Sequence, residues 1–324
     1  MTHIKKAALA ITVMLMAGCE APLDLTAVEA MQAETTKRFD MYQDAAAVGD
    51  RVLITSSVGA ALVSDDAGLR FRRFELDGAP ALISAAACDD GDLYALDTTR
   101  HVWRLAVGAN EWQRNLIDTP ENTLSLSCAP GGRLWVSAGF ATMFSSDDDG
   151  ASWNEFSLYE DMQITEIQFV DQNNGFAVGE FGLFAVTTDG GDNWERGGDI
   201  PNEFYPMAAA FADTQTGWVG GLDGVIWHTR DGGNSWQRQR SVNPSPIYRM
   251  IASEAGVYAA GGSATLVEYD DGQWISVDGA PHVPTFLRAL AVVKSRTLLI
   301  GGGGGLVATV PLEGEPQSQA GGDA

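Results

Sequence analysis

Short apolar runs broken by glycine-bearing polar turns make up most of this chain. The run Ile164-Thr165-Glu166-Ile167-Gln168-Phe169-Val170 is rich in β-branched and aromatic residues, the composition of a half-buried strand. A polar turn, Asp171 to Gly175, leads to the apolar strand Phe176-Ala177-Val178 and then to a glycine-flanked loop, Gly179-Glu180-Phe181-Gly182. A third strand, Leu183 to Thr187, and a fourth carrying Trp194 complete a four-strand unit. The next stretch repeats the layout as Met207 to Ala212, Gly217-Trp218-Val219-Gly220 and Gly224 to Thr229. Strands this short with turns this regular predict an all-β architecture built from one small unit.

The unit recurs at a nearly fixed period. Its marker is a turn with the frame Ser/Thr-x-Asp-x-Gly-x-x-Trp, formed by Ser146, Asp148, Gly150 and Trp153, by Thr187, Asp189, Gly191 and Trp194, and by Thr229, Asp231, Gly233 and Trp236. A weaker copy has Ser64, Asp66, Gly68 and Phe71. The aromatics step by 41 residues from Trp153 to Trp194 and by 42 to Trp236, and a backward step of 41 reaches Trp112. Trp274, behind a shortened turn, marks a sixth unit, and a seventh starts at Phe286 with three strands that end at Val310. Four strands at this period define a propeller blade. The expectation is a seven-bladed β-propeller with four-stranded blades over residues 39–312, followed by a disordered polar tail, 313–324. The seventh blade lacks a fourth strand, and a bare sheet edge invites aggregation. The alternating segment Pro22 to Val28, within the linker 19–38, is predicted to fill the gap, although Thr26 to Arg38 also has a helix-compatible composition.

The turn residues read as structural. Serine, threonine and aspartate side chains bond nearby backbone N–H groups, and glycine adopts positive φ. A tryptophan ring of ~200 Å² wedged between sheets contributes roughly 5 kcal/mol gross. The aspartates are therefore expected at the outer edge of each blade, far from the axis.

Charge and the chain start narrow the setting. With 20 basic and 43 acidic residues the formal charge is −23, a field that repels nucleic acid and anionic headgroups alike. Lys5 and Lys6 precede an apolar run, Ala7 to Ala17, too short for a permanent membrane span. It ends Leu15-Met16-Ala17-Gly18-Cys19, which resembles the lipobox of bacterial lipoproteins, with Met16 departing from the usual leucine. The resemblance implies a signal peptide, 1–18, and lipidation of Cys19. Glu20, in place of the aspartate that marks inner-membrane retention, implies the periplasmic face of the outer membrane.

The turn frame is similar to the BNR repeat, or Asp-box, of sialidases, sortilin-type receptors and the photosystem II stability/assembly-factor family. The last fits best, because Gly175-Phe176-Ala177-Val178-Gly179 and Gly182 precede one Asp-box as Gly217-Trp218-Val219-Gly220 and Gly224 precede the next. The likeness runs from about Phe39 to Val310 and is strong only in the central blades. It implies a non-catalytic assembly or accessory factor that binds a membrane protein complex and takes no cofactor. For photosynthetic members the partner is photosystem II, through a reaction-centre subunit; for other relatives it is an RND-type exporter. The acidity here favours the exporter, since the photosystem factor is expected to carry a basic patch.

Catalytic alternatives are weaker. Sialidase chemistry needs an arginine triad, a Tyr–Glu pair and an acid aspartate. The chain has Arg70-Phe71-Arg72-Arg73 near its start rather than an Arg-Ile-Pro opening, although Tyr205 and Tyr248 stand near Glu203 and Arg249. The acidic doublets lie beside glycines between strands and lack the ligand alternation of an EF-hand loop, and the histidines share no metal-ligand spacing. No metal is expected. Cys88 and Cys128 lie one repeat apart at the ends of equivalent first strands, so an oxidising compartment allows a disulfide, the alternative being two buried thiols. Glu166, Arg249 and Arg288 are charges in otherwise apolar first strands. They either present a binding rim, joined by Glu180, Phe181 and Asp223 from neighbouring loops, or pair within the channel.

Overall fold

The computed structural model describes residues 34–294 and 296–312. Cys19, the segment Pro22 to Val28 assigned to the seventh blade, and the tail 313–324 lie outside the described residues. Seven antiparallel sheets follow one another along the chain. Among the described residues, six have four strands and the last has three, Leu287–Val293, Thr297–Gly302 and Val307–Pro311. Each sheet is a meander in sequence order, as the short Gly- and Asp-bearing turns dictate. The first strands of successive blades touch in cyclic order, and those of blades seven and one close the ring. Met41 adds an antiparallel bridge to Gly303 at this junction. The chain is a seven-bladed β-propeller.

The core is divided into seven clusters, one between each pair of adjacent blades. Each marker aromatic enters the cluster its blade shares with the preceding one: Trp153 packs with blade two, Trp194 with blade three and Trp236 with blade four. Phe71 reaches back to blade seven, against Leu299 and Val307. The turn ahead of these rings is held alike in four blades. The Ser64, Ser146, Thr187 and Thr229 hydroxyls each donate to the Asp Oδ1 two residues on at 2.8 Å and accept the glycine N–H at 2.8–2.9 Å. The same aspartates accept a backbone N–H four residues on. Gly191 and Gly233 have φ of +88° and +86°, and a Cβ on either would lie about 2 Å from the ring of Trp135 or Phe184. Conformation and packing both require glycine there.

Candidate functional site

The seven first strands line the axis, and a β-bulge falls near the start of six of them. A bulge inserts one unpaired residue and re-aims its neighbours. The residues just past this point, Asp44, Ser84, Ser125, Glu166, Ala208, Arg249 and Ala289, recur at intervals of 40–42. They bring polar groups from distant parts of the chain into one bore. Arg249 Nη1 donates to Glu166 Oε1 at 3.1 Å, and its Nε lies 3.2 Å from Asp44 Oδ1. Asp44 Oδ2 accepts from Ser84 Oγ at 3.0 Å and the Ala85 N–H at 2.9 Å. Ser84 Oγ in turn accepts the Leu126 N–H at 3.1 Å. One side-chain network thus ties blades one, two, three, four and six together around the axis.

One guanidinium serves two carboxylates in this network. Asp44 is 5 % exposed at its side chain and Glu166 17 %. Burial pushes the Glu166 carboxyl up to about 7; Arg249 opposes the shift and the charge of Asp44 adds to it. Arg288 stands apart, donating to Gln43 Oε1 at 3.3 Å and lying 4.5 Å from the centre of the Tyr248 ring. A cavity of about 200 Å³ remains at the far end of the bore, lined by Glu166, Arg249, Gln168, Met250 and Cys128. Cys128 is joined to Cys88 by a disulfide, which ties the first-strand ends of blades two and three.

Glu180, Phe181 and Asp223 lie away from this network, on the face where first strands begin. Phe181 and Asp223 occupy the tips of 3-10 turns, Glu180–Gly182 and Leu222–Gly224, with left-handed backbone. Phe140, at the tip of the corresponding loop in blade three, has φ of +52°. The three loops are stitched to the crossovers between blades. Ala141 N–H donates to Met162 O, Glu180 Oε2 accepts the Gln163 N–H, Gly182 N–H donates to Phe204 O, and Ser241 N–H donates to Gly224 O. A continuous strip across blades three to five results. It exposes Phe140, Tyr159, Phe181, Tyr205, Leu222 and Val242, and it carries Glu160, Asp161, Glu180, Asp199, Glu203 and Asp223. Burial and the nearby charge of Glu180 raise the Tyr205 phenol.

The Asp-boxes sit between third and fourth strands, away from the bore. Their carboxylates are committed to the turns: Asp66 is held at about 2, chiefly by Arg70, and Asp189 at about 2, chiefly by Asn193. Tyr205 and Tyr248 do not meet, since one is in a blade crossover and the other lies beneath Arg288. Sequence reading missed Asp44. Its signal was the same as that of Glu166, an acid at the repeat position of an apolar first strand. It also missed a recess of about 630 Å³ beside the outer strand Gln237–Arg240, lined by Arg230, Arg238, Arg240, Tyr269 and Trp274.

Residues 151–247 match the family model described as the photosynthesis system II assembly factor YCF48. Over this stretch, less than a third of its length, the chain is similar to the photosystem II assembly-factor family. A relative from Synechococcus sp. (strain CC9902), named photosystem II assembly lipoprotein Ycf48, is 32 % identical over 108 residues, 31 % of this chain and 32 % of the relative. The cyanobacterial relatives that bear this name are matched over 15–32 % of their own length. Among solved structures, YCF48 bound to D1 peptide superposes with a TM-score of 0.70 at 13 % identity, covering 86 % of this chain and 95 % of the other. Virginiamycin B lyase from Staphylococcus aureus, with quinupristin, reaches 0.70 at 11 % identity, covering 85 % and 96 %. Likeness at such identity shows the fold alone.

The expected RND-type exporter partner is thereby corrected. The matched relatives are named for photosystem II assembly, and the solved YCF48 is bound to a D1 peptide. The acidity argument failed because net charge does not describe local charge. Arg230, Arg238 and Arg240 form an exposed basic cluster on a chain of net charge −23.

Proposed function

We propose that this chain is a non-catalytic, lipid-anchored assembly factor that holds an extramembrane segment of a membrane-protein subunit, with photosystem II as the complex served. The observation that carries the non-catalytic reading is the axis. Its carboxylates, Asp44 and Glu166, are engaged by Arg249, and Arg288 is engaged by Gln43 and Tyr248, where a glycosidase would leave two carboxyl groups flanking an open cleft. The family repeat and the names of the relatives support the photosystem setting, and the basic recess on blade five removes the objection from charge. The Cys19 motif supports a lipid tether.

Peptides tiling the extramembrane segments of D1 test the reading directly, by fluorescence anisotropy against the full chain. Saturable binding of at least one peptide is expected, weakened by Arg238→Glu with Arg240→Glu. No binding by any peptide, together with turnover of a sialoside or a streptogramin, refutes it.

A further inference from the structure

The strip across blades three to five is built against local preference. Phe140 and Phe181 hold left-handed backbone, φ +52° and +57°, a region that bulky side chains avoid. The same geometry turns both rings outward, and each is 56 % exposed. Tyr159, with φ of +57°, is 94 % exposed. Neither backbone propensity nor packing within the chain favours aromatics at these tips. Their placement on adjacent blades makes a patch of the kind that marks an interaction surface.

Charge selects the occupant. The strip carries six carboxylates, Glu160, Asp161, Glu180, Asp199, Glu203 and Asp223. Arg196 is already paired with Glu160 and Asp199, and Arg240 stands at the outer margin. A second copy would bring the same acidic strip against itself, and anionic headgroups would be repelled likewise. A basic polypeptide segment gains on both counts, since aromatic rings accept cations over their faces as well as apolar side chains.

We propose that this face is a docking surface for a cationic polypeptide segment with apolar anchors. Leucine or aromatic side chains of the segment seat among Phe140, Phe181 and Tyr205, while its lysines or arginines meet Asp161, Glu203 and Asp223. The proposal rests on the reading of the chain as a binding propeller, and it names the surface and the chemistry of what binds there.

The test uses the full chain and three labelled peptides of equal length that alternate lysine with leucine, lysine with serine, and glutamate with leucine. The Lys–Leu peptide is expected to bind and the other two to fail. Phe140→Gly with Phe181→Gly should weaken binding about tenfold or more, as loss of central anchors does. The same pair should leave the thermal midpoint unchanged or raised, because glycine relieves both left-handed tips. Equal binding of the Lys–Ser peptide, or full affinity after the Phe→Gly pair, overturns the proposal. Failure of the Lys–Leu peptide to bind, while D1 peptides still do, overturns the proposal and leaves the assembly reading intact.

Discussion

Glu166 makes the stability of the ring depend on pH, and Glu166→Gln should remove that dependence. In the folded chain the carboxyl titrates at about 7 against an ordinary value of 4.5, because it is buried beside a guanidinium already claimed by Asp44. Between those two values the unfolded chain has lost the proton while the folded chain keeps it, so stability falls as pH rises through the window and levels off above it. At 1.36 kcal/mol per pKa unit the full effect is about 3 kcal/mol, and the residual exposure of the carboxyl lowers it. Glutamine still offers Arg249 an acceptor, at about 1 kcal/mol less than a charged one. Urea unfolding of both proteins at intervals from pH 4.5 to 8 measures the difference. The two curves should lie within about 1 kcal/mol at the acid end. The parent should then lose about 2–3 kcal/mol relative to the variant by pH 7.5. A parent whose stability stays level with the variant, or rises against it, across that range refutes the reasoning.

Four further outcomes follow from the turns, the packing and the disulfide. Gly233→Ala should cost about 3 kcal/mol or more by chemical denaturation, since its φ is +86° and the new carbon would overlap Phe184. Gly49→Ala, also at positive φ but with open space around it, should cost about 1 kcal/mol. Replacing Cys88 and Cys128 by alanine removes a bond that closes 40 residues of chain, about 4 kcal/mol in the loop-entropy model, and should lower the thermal midpoint. The Asp-box carboxylates are held below their ordinary value, so their support is present above about pH 4 and is lost as pH falls toward 2. Asp189→Asn should flatten part of that acid limb in a circular dichroism titration.

Much of the fold was legible because the repeat is written in local chemistry. An Asp-box declares itself within eight residues, and the strand that follows Gly175 needs no information from elsewhere in the chain. The axis was harder to read. Glu166 and Arg249 are 83 residues apart and meet only because the ring brings blade four to face blade six. Asp44 lies in a blade whose turn is a weaker copy, with Phe71 in place of tryptophan, so its repeat position carried little weight by itself. A bulge that turns a side chain inward depends on hydrogen-bond register, which composition does not encode. The basic recess escaped for a different reason. Arg230 belongs to an Asp-box turn while Arg238 and Arg240 alternate with glutamines along an outer strand, so no run of basic residues appears in the sequence.

The backward reach of the marker aromatics gives the ring a direction. A chain emerging from its N-terminus can complete blades two to six in turn, because the surface that each new ring needs has already been made. Blade one alone waits, for Phe71 finds Leu299 and Val307 only after the last blade has been synthesised. The first blade to be made is therefore the last to be finished, and until then its sheet presents an unfilled apolar flank. Arrival of the seventh blade, rather than any strand pairing earlier in the chain, is the event that locks the circle.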